Sequence, residues 1–250
     1  MTLTLDTRAL PYPGVHNIRC LGGYTTETGT VTRMDAIWRG CALTGIDAEH
    51  REDLLSRGLA TIIDLRRADE IEAAPNPLAD DPRVIYVNIP LFDGLAPIDR
   101  MAEEVDGQFN MGIRYVRALD ECKDNMARVM RTIAAAGPGG VYFHCTAGKD
   151  RTGLIAALLL SNAGIPREVV VAEYALTARL GASLMDALRV AIQARGNTAE
   201  RTEQILASAP ETMMRVLGHL DTAYGGPVAY LDQIGIDSPM RAALAARLVG

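Results

Sequence analysis

Ten consecutive residues, His144-Cys145-Thr146-Ala147-Gly148-Lys149-Asp150-Arg151-Thr152-Gly153, place a thiol, a guanidinium and two hydroxyls within one short stretch. The run before it, Gly140-Val141-Tyr142-Phe143, favours β structure, and the run after it, Leu154 to Leu160, is strongly helical, which predicts a strand-to-helix turn. Such a turn at the carboxyl edge of a parallel sheet offers unpaired backbone N–H groups and the positive end of a helix dipole, a setting that holds an anion of phosphate size. Cys145 opens the loop, and in that field its nucleophilic thiolate is favoured at neutral pH. Arg151, six residues on, can hold two phosphoryl oxygens as a planar fork. The phosphate-binding residues expected are Thr146, Ala147, Gly148, Lys149, Asp150 and Arg151. A thiolate needs no base to activate it, so His144 reads as an orienting residue. The Thr152 hydroxyl is expected to hydrogen-bond the sulfur when it must leave a phospho-enzyme.

Other readings of the stretch compete with this one. The Gly148-Lys149 pair suggests an NTPase phosphate loop, but that motif needs a glycine five residues before its Gly-Lys and a Ser or Thr after it; Phe143 and Asp150 stand there. A buried structural cysteine is the ordinary alternative for a single Cys, and an arginine in a glycine-bearing turn speaks against it. A phosphate-binding module without turnover and a sulfurtransferase of the rhodanese type remain as readings from other classes.

The His-Cys-x5-Arg-Thr pattern resembles the signature of the cysteine-dependent protein tyrosine phosphatase superfamily. Its Ala-Gly-Lys-Asp-Arg-Thr-Gly form is most similar to the bacterial tyrosine/dual-specificity group that includes the mycobacterial secreted tyrosine phosphatase B. By average residue usage a chance match in a chain of this length is roughly one in a million. The resemblance implies a phosphomonoester hydrolase acting through a cysteinyl-phosphate on phosphorylated protein. A lysine in the loop is also similar to phosphoinositide 3-phosphatases, so phosphoinositide is the alternative substrate. No cofactor and no metal is expected, since Arg151 and the loop dipoles supply the positive charge.

The supporting elements read as follows. Asp47 can cap a helix to about Arg57, stopped by Gly58, and Leu59 to Leu65 is a buried parallel strand. The strand runs into Asp64-Leu65-Arg66-Arg67-Ala68-Asp69-Glu70, similar to the family's Asp-Leu-Arg-x3-Glu. An Arg66–Glu70 ion pair bracing the loop is expected there. Val84 to Leu91 is the next strand, followed by Phe92-Asp93-Gly94, and residues 95–110 are a candidate short lid. Met111 to Ala136 carries apolar residues at helical spacing in one or two helices. After the motif helix, Pro166 is expected as the first residue of a helix through Leu180. The rest reads as helices at about 183–194, 199–207, 210–224, 228–234 and 239–248. Asn17-Ile18-Arg19-Cys20-Leu21-Gly22-Gly23 and Ala36 to Gly40 belong to an N-terminal flap, 14–45, on the sheet edge. Both segments resemble family segments, as does Tyr224 to Leu231.

The expected fold is therefore α/β: one domain, 1–250, with a small, mostly parallel sheet flanked by helices and a helical C-terminal half. A leaving oxygen needs a proton donor, and three aspartates are candidates: Asp64, Asp93 and Asp150. Asp64 is followed by Arg66, whose charge keeps it ionised, and Asp150 lies between Lys149 and Arg151, whose charges also favour its anion. Asp93, after a buried strand and before a glycine, is the residue favoured, also by the resemblance. The net charge of −6 argues against nucleic-acid or anionic-membrane affinity. The cysteines, Cys20, Cys41, Cys122 and Cys145, show neither metal-ligand nor disulfide spacing. No apolar stretch approaches the ~20 residues of a membrane span. A reducing, cytoplasmic setting is the expectation, with secretion lacking a recognisable signal peptide left open.

Overall fold

Strands form where β-favouring apolar residues run between turn signals. In the computed structural model, which describes residues 5–93, 95, 104–105 and 108–249, these are β1 (Arg19–Cys20), β2 (Ile37–Gly40), β3 (Leu59–Asp64), β4 (Ile85–Asn88), β5 (Glu104–Val105), β6 (Gln108–Phe109) and β7 (Gly140–His144). A central sheet has the order β1-β2-β7-β3-β4. Its edge strand β1 is antiparallel to β2, and β2, β7, β3 and β4 are mutually parallel. The strands end in line, with Gly40, Asp64 and Asn88 brought level with His144 by the register. Four loops thus leave one sheet edge together, and the one carrying Cys145 leaves from the middle. Ligands in open α/β sheets gather at this edge.

The helices are α1 (Leu5–Arg8), α2 (Ala48–Ser56), α3 (Ala68–Ala73), α4 (Met111–Glu121), α5 (Lys123–Ala135), α6 (Asp150–Asn162), α7 (Arg167–Ala175), α8 (Thr177–Leu180), α9 (Ala182–Ala194), α10 (Ala199–Leu206), α11 (Pro210–His219), α12 (Pro227–Gln233) and α13 (Ser238–Val249). Asp47 caps α2 by accepting from the His50 N–H, and Gly58 follows in the left-handed region at φ 94°. Pro166 caps α7 rather than opening it, and the helix expected through Leu180 is divided between α7 and α8. The helix expected at 210–224 loosens after His219 into a π turn over Leu220–Tyr224. Helix α3 has no counterpart among the helices expected from the sequence.

Alternation along the strands sorts the core onto two faces. Ile37, Ile63, Val141 and Phe143 face the larger cluster, built on α4, α5 and α6, while Trp38, Ile62 and Tyr142 face a smaller one with Leu54 of α2. Leu154 to Leu160 are buried all round α6, as in a helix packed on every side. Such a helix cannot shift without opening the core, which fixes the loop that opens it. Among the described residues no helix is long and apolar enough to cross a membrane.

Candidate active site

β7 ends at His144 and α6 begins at Asp150, so the turn between them is tight. Gly148 sits there at φ 68°. A Cβ on it would stand 2.3 Å from the carbonyl carbon of Gly40, so both its backbone and its contact require glycine. Cys145 is 2% exposed and lies on the floor of a cleft of about 660 Å³, with Thr146, Asp150 and Arg151 beside it.

Arg151 is held by Glu70 as a fork against a fork. Its Nη1 donates to Oε2 at 2.6 Å and its Nη2 to Oε1 at 2.7 Å, while Nη1 also reaches the Leu65 carbonyl at 3.4 Å. The Thr146 hydroxyl donates to the same carboxylate. Burial alone would push the Glu70 carboxyl up, but the hydrogen bonds and charge of Arg151 overcome it and hold the group at about 2. Glu70 is placed for this by α3, whose first turn it occupies while accepting from the Arg67 N–H at 3.0 Å.

This replaces the expected Arg66–Glu70 ion pair. Arg66 instead turns back on Asp64, with Nη2 to Oδ2 at 2.7 Å and Nε to Oδ1 at 3.0 Å. Its Nη1 closes α3 on the Ala74 carbonyl at 2.8 Å. The reason is burial: Asp64 is 0% exposed at the end of β3, where an unpaired carboxylate would be costly, and Arg66 is near enough to neutralise it. Tyr86 also donates to Asp64 at 2.8 Å. Burial tends to raise the Asp64 carboxyl, yet the hydrogen bonds and charge of Arg66 leave it below its ordinary value.

His144 is buried between two fixed partners. The Asn76 amide donates to its Nε2 at 3.1 Å, so the proton sits on Nδ1, which donates to the Cys145 carbonyl at 3.1 Å. Burial lowers its pKa, keeping the ring neutral and in an orienting position. The hydroxyl of Thr152 is buried without a hydrogen-bond partner among the described residues. Lys149 is 2% exposed. Its ammonium donates to the Ile205 carbonyl and to the Ala207 carbonyl at 3.1 Å, at the end of α10.

The other two aspartates part company. Asp150 lines the cleft, and its Oδ1 accepts from the buried Tyr115 hydroxyl at 2.5 Å; Tyr115 in turn lies 3.0 Å from the Tyr174 hydroxyl. Burial pushes the Tyr115 phenol up, with the Asp150 charge adding to it, so the hydroxyl keeps its proton. Asp93 is exposed, and Phe92, not Asp93, lines the cleft among the described residues. The candidate lid over residues 95–110 falls largely outside the described residues.

A model of the tyrosine phosphatase family matches residues 10–250. The chain belongs to the tyrosine phosphatase family. It is similar to a tyrosine-protein phosphatase of Nostoc commune, 34% identical over 83% of this chain and 72% of the relative. It is also similar to the triple specificity protein phosphatase PtpB of Mycobacterium tuberculosis, 26% identical over 90% of this chain and 93% of the relative.

Several residues of this phosphatase's site carry no signal of their own in the sequence. Asn17 and Arg39 hydrogen-bond the loop from below, and Glu173 of α7 accepts from Arg39 Nη1 and Arg19 Nε, each at 2.6 Å. The Asn17-x-Arg19 segment, expected as part of a flap on the sheet edge, lies under the loop. Glu173, Asn76 and Tyr115 reach the site only through tertiary packing, which periodicity does not report.

Proposed function

We propose that this phosphatase hydrolyses phosphate monoesters through a cysteinyl-phosphate on Cys145. The thiolate sulfur attacks phosphorus in line, the bond from phosphorus to the leaving oxygen breaks, and a carboxylic acid gives that oxygen its proton. Water then attacks phosphorus, its proton passes to the carboxylate, and the P–S bond breaks to free the thiolate and inorganic phosphate. Arg151 and the loop N–H groups hold the equatorial oxygens, where charge builds in the transition state. The observation that carries this reading is the Glu70–Arg151 fork beside Cys145. It fixes the guanidinium plane before substrate arrives, so no reorganisation is needed during reaction.

For the proton donor, the cleft supports Asp150. Tyr115 occupies Oδ1, which leaves Oδ2 to face the leaving oxygen. Asp93 is the second reading, supported by the place of its neighbour Phe92 in the cleft wall. The substrate proposed is phosphotyrosine in protein, with phosphoserine and phosphothreonine also accepted. Breadth is supported by a lining in which Phe92 is the one Phe, Tyr or Trp among the described residues, so no deep aromatic slot selects a flat ring. A phosphoinositide is the second substrate class, supported by a wall containing Leu184, Leu188 and Leu206 together with Arg67 and Arg195. A cytoplasmic place of work suits the chemistry, because reducing conditions keep Cys145 a thiol.

Phosphate release from phosphotyrosine, phosphoserine and phosphothreonine peptides and from phosphoinositides tests the proposal. Cys145→Ser should abolish release from every substrate, since the alcohol does not ionise in this field. Release at the wild-type rate from that variant would remove the covalent step.

A further inference from the structure

Asn17 and Arg39 are 2% and 0% exposed and lie beneath the phosphate loop, far from it in sequence. The Asn17 Nδ2 donates to the carbonyls of Ala147 at 3.1 Å and Gly148 at 3.0 Å. Arg39 Nη2 donates to the Gly148 carbonyl at 2.7 Å. A trans peptide carries its C=O and the following N–H on opposite sides. Drawing the Ala147 carbonyl down therefore turns the Gly148 N–H up, and drawing the Gly148 carbonyl down turns the Lys149 N–H up. The upper side is the cleft, which Ala147 and Lys149 line. Neither N–H has a backbone acceptor among the described residues.

The holders are themselves held. Arg19 Nη1 donates to the Asn17 Oδ1 at 2.5 Å, and an arginine has only donors to offer, so the amide must present its NH2 group to the loop. Glu173 grips Arg19 and Arg39 together through both carboxylate oxygens. Asn17 adopts φ 61°, a left-handed backbone that asparagine tolerates better than most residues. Its N–H donates to the Leu180 carbonyl at 3.0 Å. Every freedom by which the amide could turn away is used.

We propose that Asn17 and Arg39 are positioning residues of the phosphatase: by fixing the carbonyls of Ala147 and Gly148 downward, away from the cleft, they aim the Gly148 and Lys149 N–H groups at the phosphoryl oxygens. The inference rests on the catalytic reading above and names what organises its anion site. A residue that merely stabilised the fold would have no need to contact two successive carbonyls of this loop.

Asn17→Asp is the decisive variant. It keeps the size of the side chain and the acceptor for Arg19, but puts an oxygen where the two carbonyls need a donor. Removal of one preorganised oxyanion donor costs about 10²–10³-fold in kcat. Asn17→Asp should thus lower kcat on a phosphotyrosine peptide about 100-fold and weaken inhibition by orthovanadate similarly, with a smaller change in KM. In ¹⁵N-labelled wild-type protein, orthovanadate should move the amide signals of Gly148 and Lys149, and the variant should lose that response. A folded Asn17→Asp protein with kcat and vanadate inhibition within about threefold of wild type would overturn the proposal. So would Gly148 and Lys149 signals that stay still in wild-type protein saturated with vanadate, a measurement that decides the matter even where the variant does not fold. Failure of the covalent mechanism shows itself elsewhere, as activity surviving in Cys145→Ser.

Discussion

Replacing Glu70 by glutamine isolates the part of the site that holds Arg151. The substitution keeps shape but leaves one acceptor and one donor facing a guanidinium that has only donors, so one arm of the fork is lost. The carboxyl lies at about 2 against an ordinary 4.5. At about 1.4 kcal/mol per unit, its charged form is favoured in the folded protein by about 3 kcal/mol, an upper bound for the stability lost at pH 7. The sign follows from the direction of the shift. A depressed carboxyl stabilises the fold fully above its unfolded value and loses that contribution as pH falls from about 4.5 towards 2. The stability gap between wild type and Glu70→Gln, measured by urea unfolding, should be flat from pH 6 to 8 and narrower by roughly 1 kcal/mol at pH 3.5. Turnover should fall about 10- to 100-fold at neutral pH, because Arg151 is no longer preset in plane. A gap that does not change with pH, or turnover equal to wild type, would refute the argument that Glu70 acts through its charge on Arg151.

Arg151→Lys should lose at least about 100-fold in kcat, since an ammonium cannot engage two oxygens in one plane; steady-state rates on a phosphotyrosine peptide measure it, and full activity would disprove the clamp. Asp150→Asn should depress hydrolysis of phosphotyrosine while sparing an activated aryl phosphate whose leaving group needs no proton. Equal losses on both substrates would move the assignment to Asp93→Asn, tested in the same way.

The chemistry of the loop was legible because it is written in consecutive residues. Cys145, Gly148 and Arg151 lie within one turn whose strand and helix announce themselves by β-favouring and helical runs. The parallel strands and most helices followed from the same local signals, down to the Asp47 cap. What reading residue by residue could not supply was pairing at a distance. Arg66 and Arg151 are both arginines near one glutamate in the motif logic, and only the register of β3 beside β7 shows that Glu70 meets Arg151 while Arg66 turns to Asp64. The place of the Lys149 side chain was hidden for a related reason, because the carbonyls that bury its charge lie at the end of α10, more than fifty residues away.

That last contact, set beside Asn17, bears on how the enzyme comes into being. The loop is tied below to residue 17 and laterally to Ile205 and Ala207. A chain emerging from the ribosome will have completed Asn17 and the Cys145 to Arg151 stretch well before it reaches the Ile205 and Ala207 carbonyls that hold Lys149. Contacts so distant along the chain form late in folding. The nascent protein therefore carries its nucleophile for some sixty residues of synthesis without a finished anion site, and acquires catalytic competence only when its two ends have closed on the same loop.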